Sequence, residues 1–117
     1  MLKGSAPVFA VADIAASLVH YRDVLGFQVS FEWGDPLFYV CLCRDEVALH
    51  LVSSRGGRAP GQSVLCVFVT DVDALHAEFA GLGAKVTGPP QTHDYGMRDF
   101  DVLDLDGNRL IYGMGVS

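Results

Sequence analysis

Apolar residues fall into two rhythms, and each occurs twice. Pro7–Val11 and Val64–Val69 are short runs rich in Val and Phe, as expected of strands with little solvent exposure. Each leads to an Asp, Asp13 or Asp71, placed to cap a helix by accepting hydrogen bonds from its first free amides. Apolar residues then recur at helical spacing: Ile14, Leu18, Tyr21 and Leu25 in one stretch, Val72, Leu75, Phe79 and Leu82 in the other. Gly26 and Gly83 follow, where a residue with left-handed backbone ends a helix cheaply. The stretches VADIAASLVHYRDVLGFQV and VTDVDALHAEFAGLGAKV therefore echo each other through cap, helix and stop.

After each helix the pattern predicts three strands. They are Phe27–Trp33, Leu37–Cys43 and Val47–Val52 in the first half, and Lys85–Thr87, Arg98–Leu105 and Arg109–Gly113 in the second. Arg44–Glu46 and Asp106–Asn108 are tight turns between them, and the Asp-Gly pair favours positive φ. The polar, glycine-rich link SSRGGRAPGQ joins the halves, and Gly88–Gly96 reads as a long loop. The expected fold is α+β: two βαβββ modules in tandem, a mixed curved sheet enclosing a cavity, and one helix on the outside of each module. At 117 residues the chain reads as one domain, residues 1–117, with module one at about 5–53, a linker at 54–62 and module two at about 63–115.

Composition narrows the partners. Eight Lys and Arg against fourteen Asp and Glu give a net charge of −6, which disfavours nucleic acid and eases the approach of neutral or cationic small molecules. Three Cys lack metal-site spacing and suggest reduced thiols in a cytoplasm. The first residues do not resemble a secretory signal, and no apolar run reaches membrane-spanning length, so no membrane partner is expected.

VADIAASLVHYRDVLGF resembles the opening helix signature of the vicinal oxygen chelate superfamily, which includes glyoxalase I, extradiol dioxygenases, fosfomycin-resistance thioltransferases and bleomycin-resistance proteins. FDVLDLDGNRLIYG resembles its closing hairpin, with Asp104-Leu105-Asp106-Gly107-Asn108 where Asp-Pro-x-Gly-Asn is usual, and Gly96, Arg98 and Phe100 match its Gly-x-Arg-x-Phe pattern. The resemblance covers nearly the whole chain and implies the fold above. It is weak for the reaction, because members do unrelated chemistry.

Catalytic members of that superfamily place His, Gln or Glu at four strand positions around a divalent ion. Carried onto this chain, those positions read Ala6, His50, Val64 and Ile111. Three lack a lone-pair donor and one imidazole does not hold a divalent ion, so no metal, no other cofactor and no catalytic residue is expected. His50 is instead a candidate to hydrogen-bond a ligand. Trp33, Phe38 and Tyr39 around the turn Gly34-Asp35-Pro36 are candidates to stack on one, with Tyr112 a further aromatic candidate. Tyr95 and Arg98, beside His93 and Asp94 in the second long loop, are candidates to close over it, and Arg98 also reads as an anchor for that loop or for an acidic neighbour. His20 and His76 read as solvated helix positions, and Cys41 and Cys43 as packing residues.

Two functions follow. One is a non-catalytic binding protein similar to the bleomycin-resistance branch, a homodimer sequestering an antibiotic or another aromatic, cationic ligand. The other is a metal-dependent glyoxalase-like lyase, isomerase or dioxygenase assembling a variant site from His50, His93 and loop carboxylates such as Asp94.

Overall fold

The computed structural model describes residues 1–116; Ser117, the last residue of the expected domain, lies outside them. The first module contains β1 (Val8–Val11), α1 (Ile14–Asp23), β2 (Gln28–Trp33), β3 (Tyr39–Arg44) and β4 (Val47–Ser53). After a short 3-10 turn at Ser54–Gly56, the second contains β5 (Val64–Phe68), α2 (Val72–Gly81), β6 (Lys85–Val86), β7 (Gln91–Thr92), β8 (Met97–Leu103) and β9 (Arg109–Gly115). The strands form two mixed sheets, not one and not closed into a barrel: β1-β4-β3-β2, and β5-β9-β8-β6 with β7 also on β8. In each sheet one pair is parallel, β1 with β4 and β5 with β9.

The caps sit where the pattern places them. Asp13 accepts from the Ala16 amide at 3.1 Å and Asp71 from the Ala74 amide at 3.0 Å. Gly26 and Gly83 take φ of 76° and 79°, a region costly for side chains with a Cβ. Each helix covers one face of its own sheet. Phe9, Val11, Val40, Leu42, Leu49 and Leu51 are buried under α1, and Val67, Phe100, Val102, Leu110 and Tyr112 under α2, in one continuous hydrophobic cluster. Burying side chains of this size contributes roughly 1.5–3 kcal/mol each.

Several details differ from the expectation, each for a physical reason. Leu82 is not on the buried face of α2 but half exposed, because the helix ends at Gly81. The long loop Gly88–Gly96 carries β7, paired Gln91 to Asp99 and Thr92 to Arg98; the free edge of β8 recruits a run of two residues, too short to be read as a strand from sequence. His20 and His76 are not solvated but half buried, and their Nε2 atoms are buried without partners. The His76 ring packs edge-on to Phe100 at 5.1 Å, so the aromatic neighbour overrides the polar preference of the helix flank.

Burial holds His20 below its ordinary pKa, with the charge of Asp104 opposing. The unfolded chain therefore takes up this proton first as the pH falls. Stability is expected to drop as the pH moves down through about 6.5 and to gain nothing from this group above it. Comparing urea midpoints of the wild type and His20→Gln across pH 5–8 checks this: the variant should show the shallower decline below neutrality.

The modules are tied by the turn after β8. Asp104 and Asn108 are buried. Tyr21 on α1 donates its hydroxyl to Asp104 Oδ2 at 2.9 Å, and the Asn108 side-chain amide donates to both Asp104 Oδ2 and the Ala10 carbonyl on β1. Asn108 Oδ1 accepts from the Ser63 amide and Asp106 Oδ1 from the Ala12 amide, both at 3.1 Å. Burial, then the charge and hydrogen bond of Asp104, push the Tyr21 phenol far above its usual range. The Asp-Gly-Asn segment is thus a clasp as well as a turn.

Candidate functional site

Because each helix covers one face of its sheet, alternation sends the remaining side chains to a helix-free face. On the first sheet, register brings Tyr39 opposite Trp33, Cys41 opposite Phe31 and His50 opposite both Cys41 and Val8. Phe31 belongs here only because the register shifts between Val29 and Phe31, which turns Val29 to the core side and Phe31 away from it. Simple alternation puts both on one face, so sequence reasoning misses Phe31. Trp33 is 60% exposed and Phe31 53%.

Polar groups on this face are few and placed. The Tyr39 hydroxyl and His50 Nδ1 hydrogen-bond at 2.8 Å, with the rings edge-on at 5.4 Å. With the imidazole proton on Nε2, Tyr39 donates to Nδ1 and the remaining N–H is a donor that a ligand acceptor can use. Burial, with Cys41 adding and Arg58 opposing, raises the Tyr39 phenol above its ordinary value, which favours this protonated donor. Burial likewise raises the Cys41 thiol, so Cys41 is a weak nucleophile here. Phe38 supports the cluster from one side: its ring is edge-on to Trp33 at 6.1 Å and lies under the Arg55 guanidinium at 5.3 Å. Arg55 is held by the carbonyls of Pro36 and Leu37.

The equivalent face of the second sheet carries charge. His93 Nε2 and Asp99 Oδ1 lie 2.8 Å apart, Tyr95 stacks flat on His93 at 4.9 Å, and its hydroxyl donates to Asp99 Oδ2 at 3.4 Å. Arg109 pairs with Asp101 beside them. Val64, Cys66 and Phe68 of β5 share this face, Phe68 at 79% exposure. A hollow of about 200 Å³ lies between His93, Asp99 and Pro89.

Two of the expected site residues stand apart from these faces. The Arg98 guanidinium is committed to Asp73 on α2, at 2.7 and 3.0 Å, and to Thr92, so it anchors β7 and α2. Its hydrogen bonds hold the Asp73 carboxyl below the usual range. The Tyr112 ring points the other way, into the core, 5.1 Å from Phe79 and 5.6 Å from Phe100, because β9 alternation pairs it with Val67 and Phe100 under α2. The expected residues brought together are Trp33, Phe38, Tyr39 and His50; Tyr95 lies instead with His93 and Asp99.

The four positions at which metal-binding relatives carry ligands can be judged by their donors. His50 and Ile111 occupy equivalent places, opposite Val8 and Cys66 on the adjoining parallel strands. Ile111, Val64 and Ala6 have no lone pairs to give, and Asp94 of the suggested variant site is an exposed loop residue. Among the described residues no group of three or more His, Cys, Asp or Glu stands close enough to share an ion. This donor set does not fit the divalent ion of the catalytic members.

The fold is thus two open βαβββ sheets, one with an aromatic, sparsely polar helix-free face and one with a charged face. The chain belongs to the Glyoxalase/Bleomycin resistance protein/Dioxygenase superfamily, whose family model matches residues 6–112. Among solved structures it is similar to the bleomycin-binding protein of bleomycin-producing Streptomyces verticillus, determined with copper(II)-bleomycin: 27% identity, TM-score 0.82, 98% of both chains covered. A superfamily member from Sphaerobacter thermophilus matches at 21% identity and TM-score 0.84, covering 97% of this chain and 98% of its own. A bleomycin-binding protein complexed with bleomycin matches at 16% and 0.78, over 97% and 99%. A comparison with curated proteins finds no match. No helix among the described residues is long and apolar enough to cross a membrane.

Proposed function

We propose that this protein binds an aromatic, cationic small molecule on its helix-free sheet faces and acts by sequestering it, without a metal ion of its own. The observation that carries this reading is the cluster on the first sheet: exposed Trp33 and Phe31 beside a single hydrogen-bonded Tyr39–His50 pair. Aromatic rings stack on planar or cationic groups, and one imidazole fixes orientation without supplying a catalytic constellation. The Streptomyces verticillus relative, solved with copper(II)-bleomycin, supports the ligand class. Tyr95 and Asp99 on the second sheet offer a stacking surface and a carboxylate for the same ligand. The net charge of −6 favours the approach of a cation over long range.

A homodimer is part of this reading. Phe31, Trp33, Val64 and Phe68 leave more apolar surface open than one copy needs, and a second copy facing them closes a crevice around the ligand. Its setting is a reducing cytoplasm, in keeping with three free thiols.

Trp33 is the sole tryptophan and thus a built-in reporter. Titration with metal-free bleomycin in EDTA should change its emission saturably, and melting should rise by the equivalent of about 2.7 kcal/mol at a hundredfold excess over Kd. Trp33→Phe or His50→Ala should weaken binding, read by calorimetry, roughly tenfold each. Unchanged emission and melting with bleomycin and with other planar cations would remove this function; binding that disappears in EDTA would return the metal-dependent reading.

A further inference from the structure

We propose that the cleft between the two modules, which reaches the helix-free face only at Phe68, is a second ligand site, built for a small organic cation. The internal repeat makes it visible. Cys41–His50 and Asp101–Ile111 are equivalent strand pairs. Counting three residues on from Cys41 and Asp101 sets Arg44 against Asp104; counting three back from His50 and Ile111 sets Val47 against Asn108. Phe79 stands for Tyr21 on the second helix.

One junction between the modules is therefore filled and its twin is not. Tyr21, Asp104 and Asn108 bind one another and the end of β1. At the twin, a phenyl ring and an isopropyl group replace the hydroxyl and the amide, so those bonds cannot form. Arg44 instead lies over the Phe79 ring at 5.8 Å and reaches Glu78 at 2.8 and 3.1 Å. What remains is a cleft of about 610 Å³ between the β3–β4 turn and the β5–α2 junction. That volume suits a small ligand.

Its lining specifies the chemistry. Val47, Val67 and Leu75 make apolar walls, and Tyr112 contributes to the lining. The Tyr112 residue is 4% exposed, and its hydroxyl is buried without any hydrogen-bond partner. An orphan hydroxyl is a standing cost in a folded protein unless something else comes to pair with it. Arg44 and Glu78 also line the cleft and neutralise each other. Asp45 and Glu46 line the same cleft and make no ion pair among the described residues, so the mouth carries uncompensated negative charge. An apolar body with a polar atom for Tyr112 and a cationic end for Asp45 and Glu46 satisfies every feature.

The probe is 4-methoxyphenethylamine, with 4-methoxyphenylacetate as its anionic counterpart, followed by 15N–1H NMR of the full chain. The amine should shift the amides of residues 44–47 and 67–75 saturably, and the acid should bind at least tenfold more weakly. Asp45→Asn with Glu46→Gln keeps the left-handed turn at Asp45 (φ 51°), which Asn tolerates, and should weaken the amine about fivefold with melting unchanged. Tyr112→Phe is the decisive variant. It should melt at or above the wild-type temperature yet bind the amine about fivefold more weakly, a split that a purely structural tyrosine does not produce. The inference is overturned by equal shifts from amine and acid, by shifts confined to the neighbourhood of Trp33 and His50, or by full affinity in either variant. Since Trp33 emission reports the other site, failure here leaves the sequestration reading untouched, and the reverse holds too.

Discussion

Asp104→Ala is expected to destabilise the protein by about 3–5 kcal/mol, read as a fall in urea midpoint at neutral pH. The carboxylate is 4% exposed and is the acceptor for the Tyr21 hydroxyl, the Asn108 side chain and the amides of Asp106 and Asn108. Truncation leaves those donors facing a methyl group, and each buried donor without a partner costs about 1–3 kcal/mol before relaxation. Asp104→Asn keeps the size and one acceptor oxygen and should lose roughly half as much. Tyr21→Phe removes a single donor and should cost only about 1–2 kcal/mol. If Asp104→Ala melts like the wild type, the clasp is ornamental and the modules are held by the apolar cluster alone.

Phe79→Ala should cost a similar amount, about 3–5 kcal/mol, by a different route. The ring is fully buried, edge-on to Tyr112 at 5.1 Å and to Phe100 at 6.2 Å, with the Arg44 guanidinium above it. Removing it leaves a cavity lined by stiff aromatic neighbours that collapse poorly, and it strips Arg44 of its platform. Phe79→Leu fills most of the volume and should recover more than half of the loss. A domain of this size has roughly 5–15 kcal/mol in total, so Phe79→Ala combined with Asp104→Ala should remove most or all of its stability. Denaturant melts with tyrosine fluorescence and circular dichroism check each step.

Much of the fold was legible because its signals are local. A capping Asp, a helical stripe and a stopping Gly are read from neighbours in the chain, and their recurrence exposes the tandem repeat. The face of His50 is local too, because it alternates with the buried Leu49 and Leu51 in one strand. The misses share a cause too. Phe31 depends on a register shift and the burial of the His76 ring on Phe100 beneath it; Arg98 does act as an anchor, but the carboxylate it holds comes from α2. None of those partners is encoded at a fixed spacing. Alternation alone does not tell which face of β9 Tyr112 takes; the second sheet turns it under α2, on the side of the cleft between the modules.

By itself the sequence determined the elements, their order, the twofold repeat and the absence of lone pairs at three of the four positions where relatives bind metal. Only the tertiary structure decided which faces remain uncovered, that Tyr39 meets His50, and that one module junction is clasped while its twin stands open. The reason is range. Caps, turns and periodicity are interactions among residues a few bonds apart, whereas register, clasp and cleft arise between residues far apart in the chain, and folding alone brings them together.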